Sequence, residues 1–261
     1  MTIAGSDSGG GAGIQADIKT ISALGGFATS AITAITAQNT VGVTAVHPIP
    51  LEILDAQINA ILADIGTDAV KIGMTHSREV IEIIVNTLNK YNITNIVVDP
   101  VMVATSGDKL IQEEAIAALQ ELLLPKARII TPNIPEAEIL LRKKITSQSQ
   151  LPEMARELSL NKNVSVFLKA GHLSDDTLTD ILYDAESDII VELTSKRVYS
   201  QNTHGTGCTL SSALATELAK GKSITEAAKA AKDYINSAIV SGVNYEIGKG
   251  HGPVNHFWKQ N

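Results

Sequence analysis

Cysteine is nearly absent from this sequence: a single thiol, Cys208, in 261 residues closes no internal disulfide. A secreted scaffold of this size would not rest on one thiol, so a reducing cytoplasm is the expected compartment. Aromatic residues make up only 3% of the chain, and 21 Lys and Arg stand against 28 Asp and Glu, a formal charge of -7. That balance supplies neither the basic field nor the stacking surfaces of nucleic-acid binding, so no nucleic acid is expected as a partner. It still permits a small phosphate held in a local pocket. The start, Met1 to Ser8, has no positively charged stretch, which argues against a signal peptide. Asp, Glu, Lys and Arg are all missing from residue 20 to residue 51. Polar residues interrupt every apolar run there, so buried strands are expected rather than a membrane span. Linkers rich in Pro, Gly or Ser are also missing, as are repeats. Residues 1–261 therefore read as one domain, within the size that α/β folds cover with one core.

What is present is alternation. Ala69 to Ile72, Ile96 to Asp99, Ile129 to Thr131 and Val164 to Lys169 are short apolar runs with strand character. Leu51 to Asp64, Arg78 to Tyr91, Glu113 to Leu123 and Leu151 to Leu160 carry apolar residues at three-and-four spacing, which predicts helices with one buried face. Repeated strand and helix implies an α/β fold with a mainly parallel sheet covered on both faces. Such sheets collect ligands at the carboxyl ends of their strands. Thr179 to Leu193, with Asp184, Glu186 and Ser187 between two apolar runs, predicts a small hairpin at one edge.

Glycine concentrates in two segments where a strand hands over to a helix. The first, Gly5 to Gly13, runs into Ile14, Ile18, Ile21 and Leu24. Gly11 to Ala16 fits the G-x-G-x-x-A form of a dinucleotide fingerprint, but no acid follows Asp17 until Glu52, so the acid that would bind a ribose is lacking. A tight turn is the plainer alternative. The second segment, Asn202 to Thr209, runs into Leu210, Leu214 and Leu218. Small residues at a helix start let backbone N–H groups converge with the helix dipole behind them, which makes an anion hole. An ordinary capped helix is the other reading. No G-x-x-x-x-G-K-[ST] string exists, so this is not a P-loop.

These strings carry a family resemblance. Ile3 to Ser8 with Gly10 to Thr20, then Ala37 to Thr40, Lys71 to Met74, Asp99 to Met102, Thr131 to Ala137, Asn202 to Thr209 and Gly248 to Phe257 resemble the hydroxymethylpyrimidine and phosphomethylpyrimidine kinases of thiamine biosynthesis. The likeness spans essentially the whole chain. It implies a three-layer α/β/α ribokinase-like fold, ATP as donor, Mg²⁺, an aminopyrimidine alcohol and its phosphate as acceptors, and a homodimer. It places Gly205, Thr206 and Gly207 around the transferring phosphoryl group as donors. Asp99 and Glu136 are implied as magnesium ligands, accompanied by Asn133, and Lys169 as the lysine that reaches the ATP phosphates. Hard oxygen donors suit that ion.

For the acceptor, the resemblance puts Gln38 on the pyrimidine edge, where one amide offers both a donor and an acceptor. Gly5, Asp17, Met74 and Val101 are expected near the ring or its hydroxymethyl group, although Met74 and Val101 also fit plain core. Cys208 stands where the wider superfamily has a proton-accepting aspartate. At a helix start its thiol is expected to have a lowered pKa and to act as a weak base; alternatively it is a packed small residue whose amide matters more. Pyridoxal kinase, which shares the superfamily and also phosphorylates a ring hydroxymethyl group, is the alternative function. A non-catalytic nucleotide-binding module is a third.

Overall fold

The computed structural model describes residues 1–102 and 113–260. In chain order the elements are β1 (Thr2–Asp7), α1 (Gly13–Ala23), β2 (Ser30–Gln38), β3 (Val43–Pro48), α2 (Leu51–Asp64), β4 (Val70–Ile72), α3 (Arg78–Lys90) and β5 (Ile96–Val98). Then follow α4 (Glu113–Ala118), β6 (Ile129–Ile130), α5 (Ile134–Leu141), α6 (Leu151–Leu158), β7 (Ser165–Leu168), β8 (Thr177–Asp184), β9 (Ile189–Lys196), α7 (Thr206–Ala219) and α8 (Ile224–Gly242).

All nine strands form one sheet, in the order β3-β2-β1-β4-β5-β6-β7-β8-β9. The pairings from β2 through β7 are parallel, and β3, β8 and β9 add antiparallel edges. Strand side chains alternate between faces, and β5 shows the result. Ile96 and Val98 join one buried cluster with α2, α3 and α6, while Val97 joins another with α7 and α8. Helices thus cover both faces, giving the expected three layers, and β8 with β9 is the expected edge hairpin.

Helix registers follow the apolar spacing. Leu54, Ile58 and Leu62 are the buried apolar residues of α2, and Val80, Ile81, Ile84, Val85 and Leu88 those of α3, whose start is capped by Ser77 accepting from the Val80 amide. The helix expected over Glu113 to Leu123 is α-helical only to Ala118 and continues as a wider π-turn over Leu119–Leu123. One expectation needs correction. The charge-free stretch is not wholly buried, because β3 is an edge strand exposed along most of its length. Among the described residues no helix is long and apolar enough to cross a membrane.

From β1 the chain moves outward to β2 and β3, then returns to place β4 on the other side of β1. Ligands collect at such a reversal, outside the carboxyl ends of the strands. Asp7 with the first glycine segment, and Gly73 with Met74, lie at the ends of β1 and β4.

Candidate active site

A cavity of ≈ 710 Å³ opens at this reversal. Its floor is built by the two glycine segments, which lock together. Asp7 ends β1, and its carboxylate accepts from the amides of Gly9 (2.7 Å), Gly11 (3.1 Å) and Ala12 (2.8 Å), folding the first segment around one anionic side chain. Gly205 caps α7 at φ +79°, and a Cβ on it would lie 1.8 Å from the Gly11 carbonyl oxygen. The left-handed conformation and the close approach both require glycine at 205.

One end of the cavity is shaped for an anion. The first-turn amides of α7 lack intrahelical acceptors. Thr206 N–H reaches back to Thr203 O (3.3 Å), whereas among the described residues the amides of Gly205, Gly207 and Cys208 meet no acceptor, so Gly207 and Cys208 in the first turn are open donors. Facing them, Lys169 Nζ lies 3.0 Å from Asp99 Oδ1, which also accepts from Thr131 Oγ1 (2.9 Å). Burial pushes the Asp99 carboxyl up, but Lys169 and then Lys71 outweigh it and hold the carboxyl below its ordinary range. Glu136, the third residue of α5, forms a capping box with Asn133: its carboxylate accepts from Asn133 N (2.8 Å) and Asn133 Oδ1 accepts from Glu136 N (2.9 Å). Burial pushes the Glu136 carboxyl up to about 7, and Lys169 only partly offsets it.

Gly5, Gln38, Met74 and Val101, the residues expected near the acceptor, line the same cavity. Met74 is both core and wall, being buried with its methyl group against Gly5. Asp17 is a correction. It has no exposed surface, and its carboxylate is consumed by Lys71 Nζ (2.8 and 2.9 Å), Thr2 Oγ1 (2.6 Å) and Ser212 Oγ (2.7 Å). Asp17 therefore sits behind the wall as the counter-ion of Lys71, which itself reaches the cavity. Cys208 is a second correction. It lines the cavity, but burial pushes its thiol up to about 11 and Lys71 only partly counteracts this. Of the two expectations for Cys208, burial favours the packed small residue over the weak base.

A family model described as phosphomethylpyrimidine kinase matches residues 7–255. The chain belongs to this family. A hydroxymethylpyrimidine/phosphomethylpyrimidine kinase of Rhizobium meliloti is 49% identical, over 99% of this chain and 98% of its own length. The crystal structure of a phosphomethylpyrimidine kinase from Clostridium difficile superposes with a TM-score of 0.79 at 47% identity, covering 91% of this chain and 97% of that one. An ADP complex of Bacillus subtilis pyridoxal kinase gives a TM-score of 0.90 at 35% identity, covering 99% and 97%.

Several cavity residues of this phosphomethylpyrimidine kinase family member escape a reading of the sequence. Lys71 carries a visible signal, a lone charge inside a buried apolar strand, since buried lysines require a partner. His204 Nε2 lies 2.9 Å from Asp7 Oδ2, a contact between residues 197 apart that no local pattern reveals. Ile235, Asn236 and Ile239 bring one face of α8 to the cavity, with Leu178 from β8 and Val198 beyond β9. That apolar wall, with one amide, has the chemistry to receive a flat heteroaromatic base.

Proposed function

We infer that this protein transfers the γ-phosphoryl group of ATP to the hydroxymethyl oxygen of 4-amino-5-hydroxymethyl-2-methylpyrimidine, and then phosphorylates the monophosphate to the diphosphate. One observation carries the reading: a single cavity holds the Gln38 amide and the open amides of Gly207 and Cys208 with Lys169 and Asp99. Relatives named hydroxymethylpyrimidine/phosphomethylpyrimidine kinases support the same acceptor. A cytoplasmic setting, from the single cysteine, and one domain, from the missing linkers, belong to this reading, and the resemblance adds a homodimer.

The acceptor oxygen forms a bond to the γ-phosphorus while the bond from that phosphorus to the ADP oxygen breaks. Charge spreads over the phosphoryl oxygens, so positioning and charge stabilisation supply most of the rate. The Gly207 and Cys208 amides and Lys169 face that charge. In a loose transition state the acceptor proton leaves late; a thiol raised to about 11 by burial is a poor base for it, so in this reading the proton passes to a transferred phosphoryl oxygen. Mg²⁺ fits the donors present. Among the described residues, Asp99 Oδ2 has the Ser211 hydroxyl at 3.5 Å as its hydrogen-bond partner, and the charge acting on the raised Glu136 carboxyl comes from Lys169, which is itself paired with Asp99. Among the described residues no three His, Cys, Asp or Glu gather as a metal cage, which agrees with an ion that keeps waters and phosphates as ligands. Asp99 and Glu136 would hold it, and it would neutralise phosphate charge.

Two expected results follow here. Cys208→Ala keeps the backbone amide and removes a neutral thiol; kcat should fall by less than about tenfold, below the usual worth of a general base. A loss of several orders of magnitude with the fold intact would show the thiol to be essential. For Glu136, a folded pKa near 7 lies above the ordinary value of 4.5, so its favourable contribution is complete below about pH 4.5 and is lost as pH rises through 7. Without added metal, Glu136→Gln should gain on wild type in urea stability between those limits. A constant difference across them would contradict the raised pKa.

The structural likeness to pyridoxal kinase makes pyridoxal the second acceptor to test. Steady-state kinetics with MgATP should give a higher kcat/KM for the aminopyrimidine alcohol than for pyridoxal; the reverse order would transfer the assignment to pyridoxal.

A further inference from the structure

His204 touches Gln38, Asp7 touches His204, and together they impose a hydrogen-bond inventory on the Gln38 amide. His204 Nε2 faces Asp7 Oδ2 at 2.9 Å and the Gln38 amide nitrogen at 3.4 Å. One imidazole nitrogen either carries a proton or offers a lone pair, and it cannot serve both neighbours in opposite senses. Asp7 already accepts from three backbone amides, and those bonds with His204 hold its carboxyl below the ordinary range despite burial. A lone pair on Nε2 would then face a carboxylate oxygen 2.9 Å away. The proton therefore belongs on Nε2, where it is donated to Asp7.

That assignment acts on Gln38. A protonated Nε2 opposes an N–H donor and favours a carbonyl oxygen. On the other flank, Thr36 Oγ1 lies 2.9 Å from Ser6 O and 3.1 Å from Gln38 Oε1. The single hydroxyl proton goes to the Ser6 carbonyl at the shorter distance, which leaves the Thr36 oxygen to accept.

We propose that Asp7 and His204 are positioning residues that set the direction of the Gln38 amide, turning its carbonyl oxygen to His204 and its NH2 to Thr36, the reverse of the amide placement in the structure. Every donor in the chain from Thr36 to Asp7 then meets an acceptor. The remaining N–H and the remaining lone pair of Gln38 are presented to the acceptor ring in one fixed order. A ring that offers an acceptor nitrogen beside an exocyclic amine satisfies both, whereas a ring without that pair leaves one buried group unpaired. This rests on the aminopyrimidine reading above and assigns its selectivity to the pair behind Gln38.

Two measurements on the full chain test it. In ¹⁵N-resolved NMR of the ligand-free protein, His204 should carry a proton on Nε2, and the Gln38 NH2 should show cross-relaxation with the Thr36 methyl group rather than the His204 ring. A bare Nε2 with the proton on Nδ1 alone overturns the proposal. In kinetics, His204→Phe keeps the ring volume and should raise the acceptor KM about tenfold, the size of one lost hydrogen bond, with the ATP KM nearly unchanged. In a Gln38→Ala background the same change should have almost no effect on the acceptor KM. Equal effects in both backgrounds would show a structural role only and overturn it. If wild type does not phosphorylate the aminopyrimidine alcohol, the function reading falls, and the NMR result decides the positioning role by itself.

Discussion

Gly205→Ala should nearly abolish phosphoryl transfer, with a kcat loss of at least about 10²–10³-fold. At φ +79° a side chain costs about 1–2 kcal/mol in the left-handed region before any clash is counted. The added Cβ would then stand 1.8 Å from the Gly11 carbonyl oxygen and 3.2 Å from Ala12 Cα, so the two glycine segments must separate. Displacement of this kind moves the Gly207 and Cys208 amides relative to the acceptor, and about 1 Å of misplacement is enough for a loss near 10²-fold. Gly207→Ala is the contrast. Among the described residues its Cβ would meet Asp99 Oδ2 and Lys169 Nζ, both at 3.4 Å, so its stability should remain near that of wild type. Urea denaturation with kcat for both variants checks the ordering; a Gly205→Ala protein with wild-type kcat would refute the locked-loop geometry.

Lys169→Met should be nearly as damaging, and its damage should depend on pH. The change removes the positive charge facing the transferring group, worth about 10²–10³-fold in kcat. It also strands Asp99, which is 2% exposed and loses its 3.0 Å partner; breaking a buried pair from one side typically costs about 3–5 kcal/mol. In wild type the depressed Asp99 carboxyl contributes stability above its ordinary pKa of 3.8, and that contribution is lost as pH falls through the lower folded value. Without Lys169 burial prevails, the carboxyl titrates higher, and the variant should lose ground to wild type as pH rises. The stability gap is therefore expected to be wider at pH 8 than at pH 4. A gap that stays constant or narrows toward alkaline pH would show that Lys169 is not the principal partner of Asp99.

The parts of this structure legible in the sequence are the local ones. The bounds of α2 follow from Leu54, Ile58 and Leu62 recurring on one face, and the start of α7 follows from a Gly-Thr-Gly string. Misreadings occur where a distant contact decides. Asp17, which the resemblance places near the acceptor, is instead held by Lys71, 54 residues away on another strand, a partner that no local pattern reveals. Cys208 at the start of α7 suggested an acidic thiol, but desolvation by the surrounding fold outweighs that local effect. The same limit hid the Asp7–His204 contact, which exists only once the two glycine segments interlock. The exposed edge β3 escaped for another reason: an uncharged strand reads alike whether its neighbour is a helix layer or water.

The central claim is tested most directly by following the products. Purified protein is incubated with MgATP and 4-amino-5-hydroxymethyl-2-methylpyrimidine, and the pyrimidine species are resolved by mass over time. The monophosphate should appear first and the diphosphate after it, with one ADP formed for each phosphoryl group transferred. An unchanged pyrimidine alcohol, in a preparation that phosphorylates pyridoxal with the same MgATP, would contradict the account.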